Sequence, residues 1–480
     1  MKKISATLNP FIKPLFLLFI LLSSLTCRAG AVTADTAVVS AIKQSVNSAA
    51  DNGANFPASV KRFYERGLLQ PAWINTANQK LTTDAMLLLD CVLQYGLSHA
   101  DFHPQELTYD QLKAIVEQPQ TVDVKTKARF DVLLTDAMIT MINYLHYGKL
   151  NPYYDGAKVD QGAGDIDAAT VLQKALKNGR LDDILNVQPK VQAYADMQAY
   201  MRLWKGQFTG DCYEEPTGDV EKVALNMERL RWALFNSESY LWVNIPSFTL
   251  FYRNGNAVEQ FRVIVGKPST PTPTLNSSIT YFTTAPEWKV PAKIFARELL
   301  PKALKDADYL ENNHYAIYNR KGNFIEPSKE NLATITANPA GYYARQSAGC
   351  DNSLGLIVFR FNNPYDIYLH DTPQQALFAK DERAFSHGCI RVKNARKLAT
   401  LLLVNDKAAA KVAAMETALD TYDTKDFRLK TALPIKITYV TCTIKEGQVQ
   451  NLPDVYNRDK ALALALFMKD KTRNQPLAEH

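Results

Sequence analysis

The chain has 480 residues, of which 46% are hydrophobic and 22% charged, with a formal net charge of +6. This is ordinary globular material, long enough for two or more cores, and it excludes a disordered chain as the starting assumption. The mild positive surplus suits an anionic envelope polymer, but no basic tract interleaves with aromatics, which excludes nucleic acid as a partner.

The N-terminus, residues 1–31, reads as a signal peptide for export. Lys2, Lys3 and Lys13 accompany the apolar run Leu15 to Leu22, and Ala29-Gly30-Ala31 supplies a cleavage site of small residues. The run is shorter than the roughly 20 residues of a spanning helix. Membrane attachment therefore requires a retained signal or lipidation of Cys27, and Ser24 and Thr26 fit a lipoprotein signal poorly. Cleavage after Ala31 leaves Cys91, Cys212, Cys350, Cys389 and Cys442, an odd set, so at least one thiol is expected to stay free outside the cytoplasm.

Residues 32–215 read as a helical domain. In 81–97, Leu87, Leu88, Cys91, Val92 and Tyr95 fall at helical spacing with Gly96 as a stop, which puts Cys91 in a core. Residues 128–152 repeat the pattern and end at Gly148 and Pro152. A polar stretch, 210–222, forms the linker. Residues 216–460 then read as a mostly β domain. One helix, 223–235, precedes a hairpin over 239–266 whose two strands turn at Asn254-Gly255. Further strands are expected in 277–290, "GLIVFRF", "DIYLHD" and "LPIKITYVTC". Between them, about 292–344 reads as an inserted lid, helical first and then turn-rich. Residues 394–404 are a helix capped by Asn394, and 461–480 form a C-terminal tail.

Chemistry concentrates in "HDTPQQALFAKDERAFSHGCIRV", residues 370–392. His370 ends a strand, and Gly388 permits the tight backbone that would present Cys389 at a cleft. A neighbouring imidazole lets a thiol react as thiolate, so Cys389 is the candidate nucleophile and His370 the candidate general base. The backbone N–H of Cys389, with that of Gly388 or His387, would face a tetrahedral oxyanion. Residue chemistry alone leaves open the alternative of a buried or disulfide-bonded Cys389 beside incidental histidines.

His370, fifteen intervening residues and then Ser386-His387-Gly388-Cys389 resemble the signature of the L,D-transpeptidases of the YkuD fold. The chain is similar in particular to the large periplasmic branch typified by YcbB, through "NMERLRW", "VNIPSFTL", "RVIVGKPSTPTP", "APEWKVP", "IYLHDTP", "RAFSHGCIRV" and "ARKLATLLL". Weaker similarity, in "FYERGLLQPAWI" and "LTDAMITMINYLHYGKLNP", extends to the helical scaffold domain of that branch. The resemblance implies an α+β architecture: a helical N-terminal scaffold domain, then a mostly β catalytic domain with an inserted capping lid. It implies a periplasmic acyltransferase that needs no cofactor and no metal, takes peptidoglycan stem peptides, meets other cell-wall synthesis enzymes, and is acylated by carbapenems. The small peptidoglycan-binding module usual between the two domains has no room in residues 186–225.

Other residues carry alternatives. Arg391 stands where many members have Asn and is expected to bind a stem carboxylate bidentately, or to form an ordinary surface ion pair. His387 orients the site or makes a structural hydrogen bond. Ser386 is expected to hold the His370 tautomer. Asp371 points across the strand and suits a structural role. Cys350 is the rival nucleophile, read as a small packed residue, and a Cys212–Cys442 disulfide stays open. Trp288, Tyr309, Tyr342 and Tyr343 line the cleft or sit in the core. His99, His103, His146, His314 and His480 show no metal-binding spacing. A hydrolase on the same fold, a non-catalytic wall-binding scaffold and a papain-like peptidase are the competing functions.

Overall fold

The computed structural model describes residues 36–75, 78–207, 218–306 and 308–467. The signal segment with Cys27, most of the expected linker with Cys212, and the end of the chain with His480 lie outside the described residues.

The N-terminal unit is helical: α1 (Thr36–Asn47), α2 (Pro57–Arg66), α3 (Gln79–Asp90), α4 (Tyr109–Glu117), α5 (Val124–His146), α6 (Gly156–Asp160), α7 (Ala168–Asn178) and α8 (Gln192–Gln207). Helix α5 is buried on all sides, so the others pack around it. Two buried acids, Asp136 on α5 and Asp160 on α6, are satisfied by loop N–H groups. Asp136 accepts from the backbone of Asn55 and Phe56, each at 2.9 Å, and Asp160 from Ala58 and Ser59, so two acidic side chains cap the N-terminus of α2 in place of a local cap. The expected helix over 81–97 splits: α3 ends at Asp90, a short 3₁₀ turn follows, and Gly96 at φ 65 is the stop. Cys91 therefore caps a helix end, half-buried, instead of lying in the core as the periodicity suggested.

Helix α9 (Gly218–Trp232) joins the two units. Its buried Glu228 and Arg231 pair with each other. Glu228 also accepts from the Leu150 backbone at 2.7 Å, and Arg231 donates to the Tyr95 carbonyl. Across the same junction the Tyr153 hydroxyl donates to the Thr274 carbonyl at 2.6 Å.

The C-terminal unit begins with β1 (Ser239–Asn244), β2 (Thr249–Asn254) and β3 (Ala257–Gly266), a three-stranded meander where the periodicity suggested two strands. The extra turn follows from Pro246, which cannot donate to a ladder, and from Phe248 at φ 50. Then come β4 (Leu275–Thr284) and β5 (Trp288–Lys289). The insertion holds α10 (Ala292–Ile294), a π turn over Phe295–Leu299, α11 (Leu300–Lys305), α12 (Tyr309–Asn312), β6 (Tyr315–Asn319), β7 (Phe324–Ile325), α13 (Lys329–Ala337) and β8 (Tyr342–Gln346). Its second half is thus a small sheet, β5-β8-β6-β7, over a core of its own around Phe295, Leu300, Ile317 and Ile335, and is not merely turn-rich.

The chain returns through β9 (Ile357–Phe361), β10 (Leu369–His370), β11 (Ala384–Ser386), β12 (Ile390–Val392), α14 (Ala395–Asn405), α15 (Val412–Asp420), β13 (Lys425–Thr438), β14 (Cys442–Lys445), β15 (Gln448–Asn451) and α16 (Asp459–Phe467). The main sheet runs β11-β3-β12-β10-β9-β4-β13-β1-β2, and β2 also pairs with β3, so the order closes on itself. Its core stacks Phe282 on Phe427 with centroids 5.2 Å apart and is covered by Leu398, Leu402 and Met415 of α14 and α15. Asn394 precedes α14 in a left-handed conformation, φ 58, and its side chain makes no cap hydrogen bond, contrary to the expected cap. Overall this is the α+β arrangement expected, helical unit first and mostly β unit second.

Candidate active site

Two short parallel strands set the site. Leu369 lies opposite Ile390 and His370 opposite Arg391, so the turn before β12 sets Cys389 beside Tyr368, and His370, two residues further along β10, shares the face of Cys389. Gly388 adopts φ 118, a conformation in which any side chain is strained, although a Cβ there would meet nothing closer than 3.8 Å; backbone shape, and not space, requires the glycine. Ser386 fastens the turn. Its hydroxyl donates to the Cys389 carbonyl at 2.5 Å and accepts from Gly388 N–H at 3.1 Å, while Thr272 donates to the Gly388 carbonyl at 2.7 Å. Two expectations change here. The Ser386 carbonyl takes Lys267 N–H, so Ser386 does not hold His370, and the Gly388 N–H is already bonded and unavailable to an oxyanion. Among the described residues, the N–H groups of His387 and Cys389 have no such partner.

His370 is buried, 5% exposed, and its Nδ1 donates to the carbonyl of Asp371 at 2.6 Å. That bond fixes the tautomer and leaves Nε2 as the lone-pair nitrogen. Asp371 thus orients the imidazole through its backbone. Its carboxyl accepts from Leu356 N–H at 3.0 Å and from Gln375 at 3.2 Å, with Gly355 packed so closely that a Cβ would reach the carboxyl at 2.6 Å. Burial, and after it the Arg391 charge, pushes the His370 pKa down to about 3, against the Asp371 and Leu354 carbonyls. Burial pushes the Cys389 thiol up, and Tyr368, Arg391 and Arg360 pull it back in part. At neutral pH the pair therefore rests as uncharged thiol and uncharged imidazole.

A stability consequence follows. Between pH 6.5 and about 3 the unfolded chain binds a proton at His370 that the native chain does not, so stability is complete above 6.5 and is lost as pH falls toward 3. The whole effect is bounded at roughly 5 kcal/mol. A His370→Asn variant, which keeps a donor toward Asp371, is expected to lose less stability on acidification than wild type in urea titrations at pH 7 and pH 4. Equal losses would contradict the buried neutral imidazole.

Arg391 is half-buried beside Cys389, donates to Gln374 Oε1 at 2.7 Å, and leaves its Nε buried without a partner. It forms no ion pair among the described residues, so the surface-pair alternative does not hold. His387 turns outward and pairs with Glu298 at 2.6 Å, tying the signature turn to the π segment of the insertion. Cys350 is exposed beside Tyr422, not packed as expected, and Cys442 is a buried thiol accepting from Asn226 at 3.2 Å, not half of a disulfide. Trp288, Tyr309 and Tyr342 pack on the core of the insertion. Tyr343 stacks on Tyr318 with centroids 5.5 Å apart. His146, His103 and His314 each pair with an aspartate, and no group among the described residues is placed to hold a metal ion.

Sequence reasoning missed Tyr368. Its ring meets His370 edge-on with centroids 5.7 Å apart, its hydroxyl reaches the Cys389 thiol, and the Arg360 guanidinium lies 5.4 Å over it. The signal was available, since a residue two before His370 on a strand shares its face.

Residues 238–412 match the family model of the L,D-transpeptidase catalytic domain, YkuD, and residues 58–201 match that of the Scaffold domain. The chain is 29% identical over 424 residues to a Haemophilus influenzae protein described as "Putative L,D-transpeptidase", covering 86% of this chain and 81% of that one. A solved L,D-transpeptidase from Mycobacterium smegmatis aligns over 42% of this chain and 58% of its own, at 13% identity and a TM-score of 0.19. The chain thus carries an L,D-transpeptidase catalytic domain of the YkuD type behind a Scaffold domain.

Proposed function

We propose that the protein cross-links peptidoglycan by acyl transfer through a thioester on Cys389. The observation that carries this reading is that one pair of parallel strands puts His370, its Nδ1 committed to the Asp371 carbonyl, on the same face as the cysteine of the S-H-G-C turn. His370 takes the thiol proton, and sulfur attacks the carbonyl of the third, diamino-acid residue of a donor tetrapeptide stem. The oxyanion faces the N–H groups of Cys389 and His387. Collapse breaks the amide, and the leaving D-alanine amine takes the proton from His370. In the second half, His370 accepts a proton from the acceptor amine as nitrogen attacks the thioester; the carbon–sulfur bond breaks and the thiolate regains the proton. The product is a 3→3 cross-link. Burial under the insertion, latched through Glu298 and His387, favours amine over water. Arg391, with its unpartnered Nε, is the donor's carboxylate anchor.

The N-terminal signal, which lies outside the described residues, supports a periplasmic location, where stem peptides and other wall-synthesis enzymes are the partners. The test is product analysis after incubation with disaccharide-tetrapeptides. Dimers with 3→3 linkages are expected; tripeptides without dimers would make the protein a hydrolase, and neither product would favour a wall-binding scaffold.

A further inference from the structure

Strand registers place five side chains in a row leading away from Cys389. Leu369 opposite Ile390 sets Tyr368 beside Cys389, and Leu369 opposite Phe359 sets Tyr368 beside Arg360. Arg360 lies opposite Tyr281, and Tyr281 opposite Arg428. Directly opposite residues share a face, and on β9 the neighbours Phe359 and Phe361 point into the core, so this face is the outer one. Aromatic and cation alternate along it. Arg360 sits 5.4 Å over Tyr368 and Arg428 sits 5.2 Å over Tyr281. Neither guanidinium pairs with a carboxylate among the described residues, and Arg428 is exposed. Two open cavities of about 390 Å³ each flank the row, and Tyr281 and Arg360 line both. The cavities also hold three acids: Glu287 lies 3.7 Å from Arg345, Asp426 accepts the Thr283 hydroxyl at 2.6 Å and keeps its charge, and Asp366 lines the other cavity.

We infer that the Cys389–Tyr368–Arg360–Tyr281–Arg428 row is the binding track for the acyl acceptor, an anionic stem peptide whose carboxylates are held by Arg360 and Arg428. The inference rests on the acyl-transfer reading above. At a strand spacing of about 4.8 Å, Arg360 stands about 10 Å and Arg428 about 19 Å from the row's start at Cys389. An extended stem of four residues covers about 13 Å at about 3.3 Å per residue, and it meets Arg428 with its amine at the thioester because the Arg428 guanidinium lies back over Tyr281, one strand nearer Cys389. A free amino acid cannot, because its carboxylate sits on the carbon that bears the amine. Arg391 lies two residues along β12 from Cys389, beside His370 and off the row, so donor anchor and acceptor track leave the thiol in different directions, one along the strand and one across the sheet.

The test compares two acceptors in wild type, Arg428→Ala and Arg428→Lys, with one tetrapeptide donor: a second tetrapeptide stem and a free D-amino acid. Arg428→Ala is expected to lower transfer to the stem relative to the free amino acid about tenfold, through KM, and Arg428→Lys to recover part of it. An unchanged ratio, or an equal loss with both acceptors, overturns the track. If wild type transfers to neither acceptor, the acyl-transfer reading falls and the inference falls with it.

Discussion

Replacing Cys389 by alanine is expected to lower turnover of stem peptides by at least about 10³-fold, because the step that splits one acyl transfer into two disappears with the sulfur. The fold should survive. Cys389 is half-buried at the edge of the main core, and the bonds that shape its turn, from Ser386, Thr272 and the Gly388 backbone, do not involve its side chain. Cys350→Ala is the matching control. Its thiol is exposed after β8, beside Tyr422, so turnover should stay within about twofold of wild type, an exposed substitution being close to neutral. Initial rates of D-alanine release from a tetrapeptide distinguish the variants; comparable rates in wild type and Cys389→Ala would remove Cys389 from the mechanism.

The largest stability loss is expected at Asp131, far from the chemistry. This carboxyl is fully buried on α5 and accepts from the backbone of Ala72, Trp73 and Ile74 at 2.9, 2.7 and 3.0 Å and from the Tyr64 hydroxyl at 2.5 Å. Burial raises its pKa, and these four donors, Tyr64 first, pull it back. Every partner is a donor, so the geometry is built for the ionised form. Alanine would strand three buried N–H groups and the Tyr64 hydroxyl together, at a cost of about 3 to 5 kcal/mol. Asparagine would turn an amide donor against donors and recover only part of this. Urea unfolding followed by circular dichroism measures both; a change under about 1 kcal/mol in Asp131→Ala would mean the 72–74 loop finds other partners.

What was legible in the sequence was local. Ser386 to Cys389 are contiguous, and Gly388 announces the backbone it adopts, so the turn, with His370 fifteen intervening residues before it, could be read in advance. The central helix α5 was equally plain from its apolar period. Its acids were not, because their partners are loop N–H groups 57 to 81 residues away, at Ile74 and Asn55. The small sheet of the insertion escaped notice since β7 has two residues and β6 and β8 five each, too few to establish alternation beside helices. Arg360, Tyr281 and Arg428 were invisible for another reason. Each is unremarkable on its own strand, and only the registers of β9, β4 and β13 put them in line with Cys389. Ser386 was assigned to the wrong partner because sequence gives no bond directions: the Asp371 carbonyl, one residue from His370, is nearer than any group of the turn.

The most direct test of the central claim is intact-protein mass spectrometry of the mature enzyme after incubation with a carbapenem, for wild type, Cys389→Ala and Cys350→Ala. The account predicts one adduct in wild type and in Cys350→Ala and none in Cys389→Ala. No adduct in wild type, or an adduct that disappears with Cys350, would contradict it.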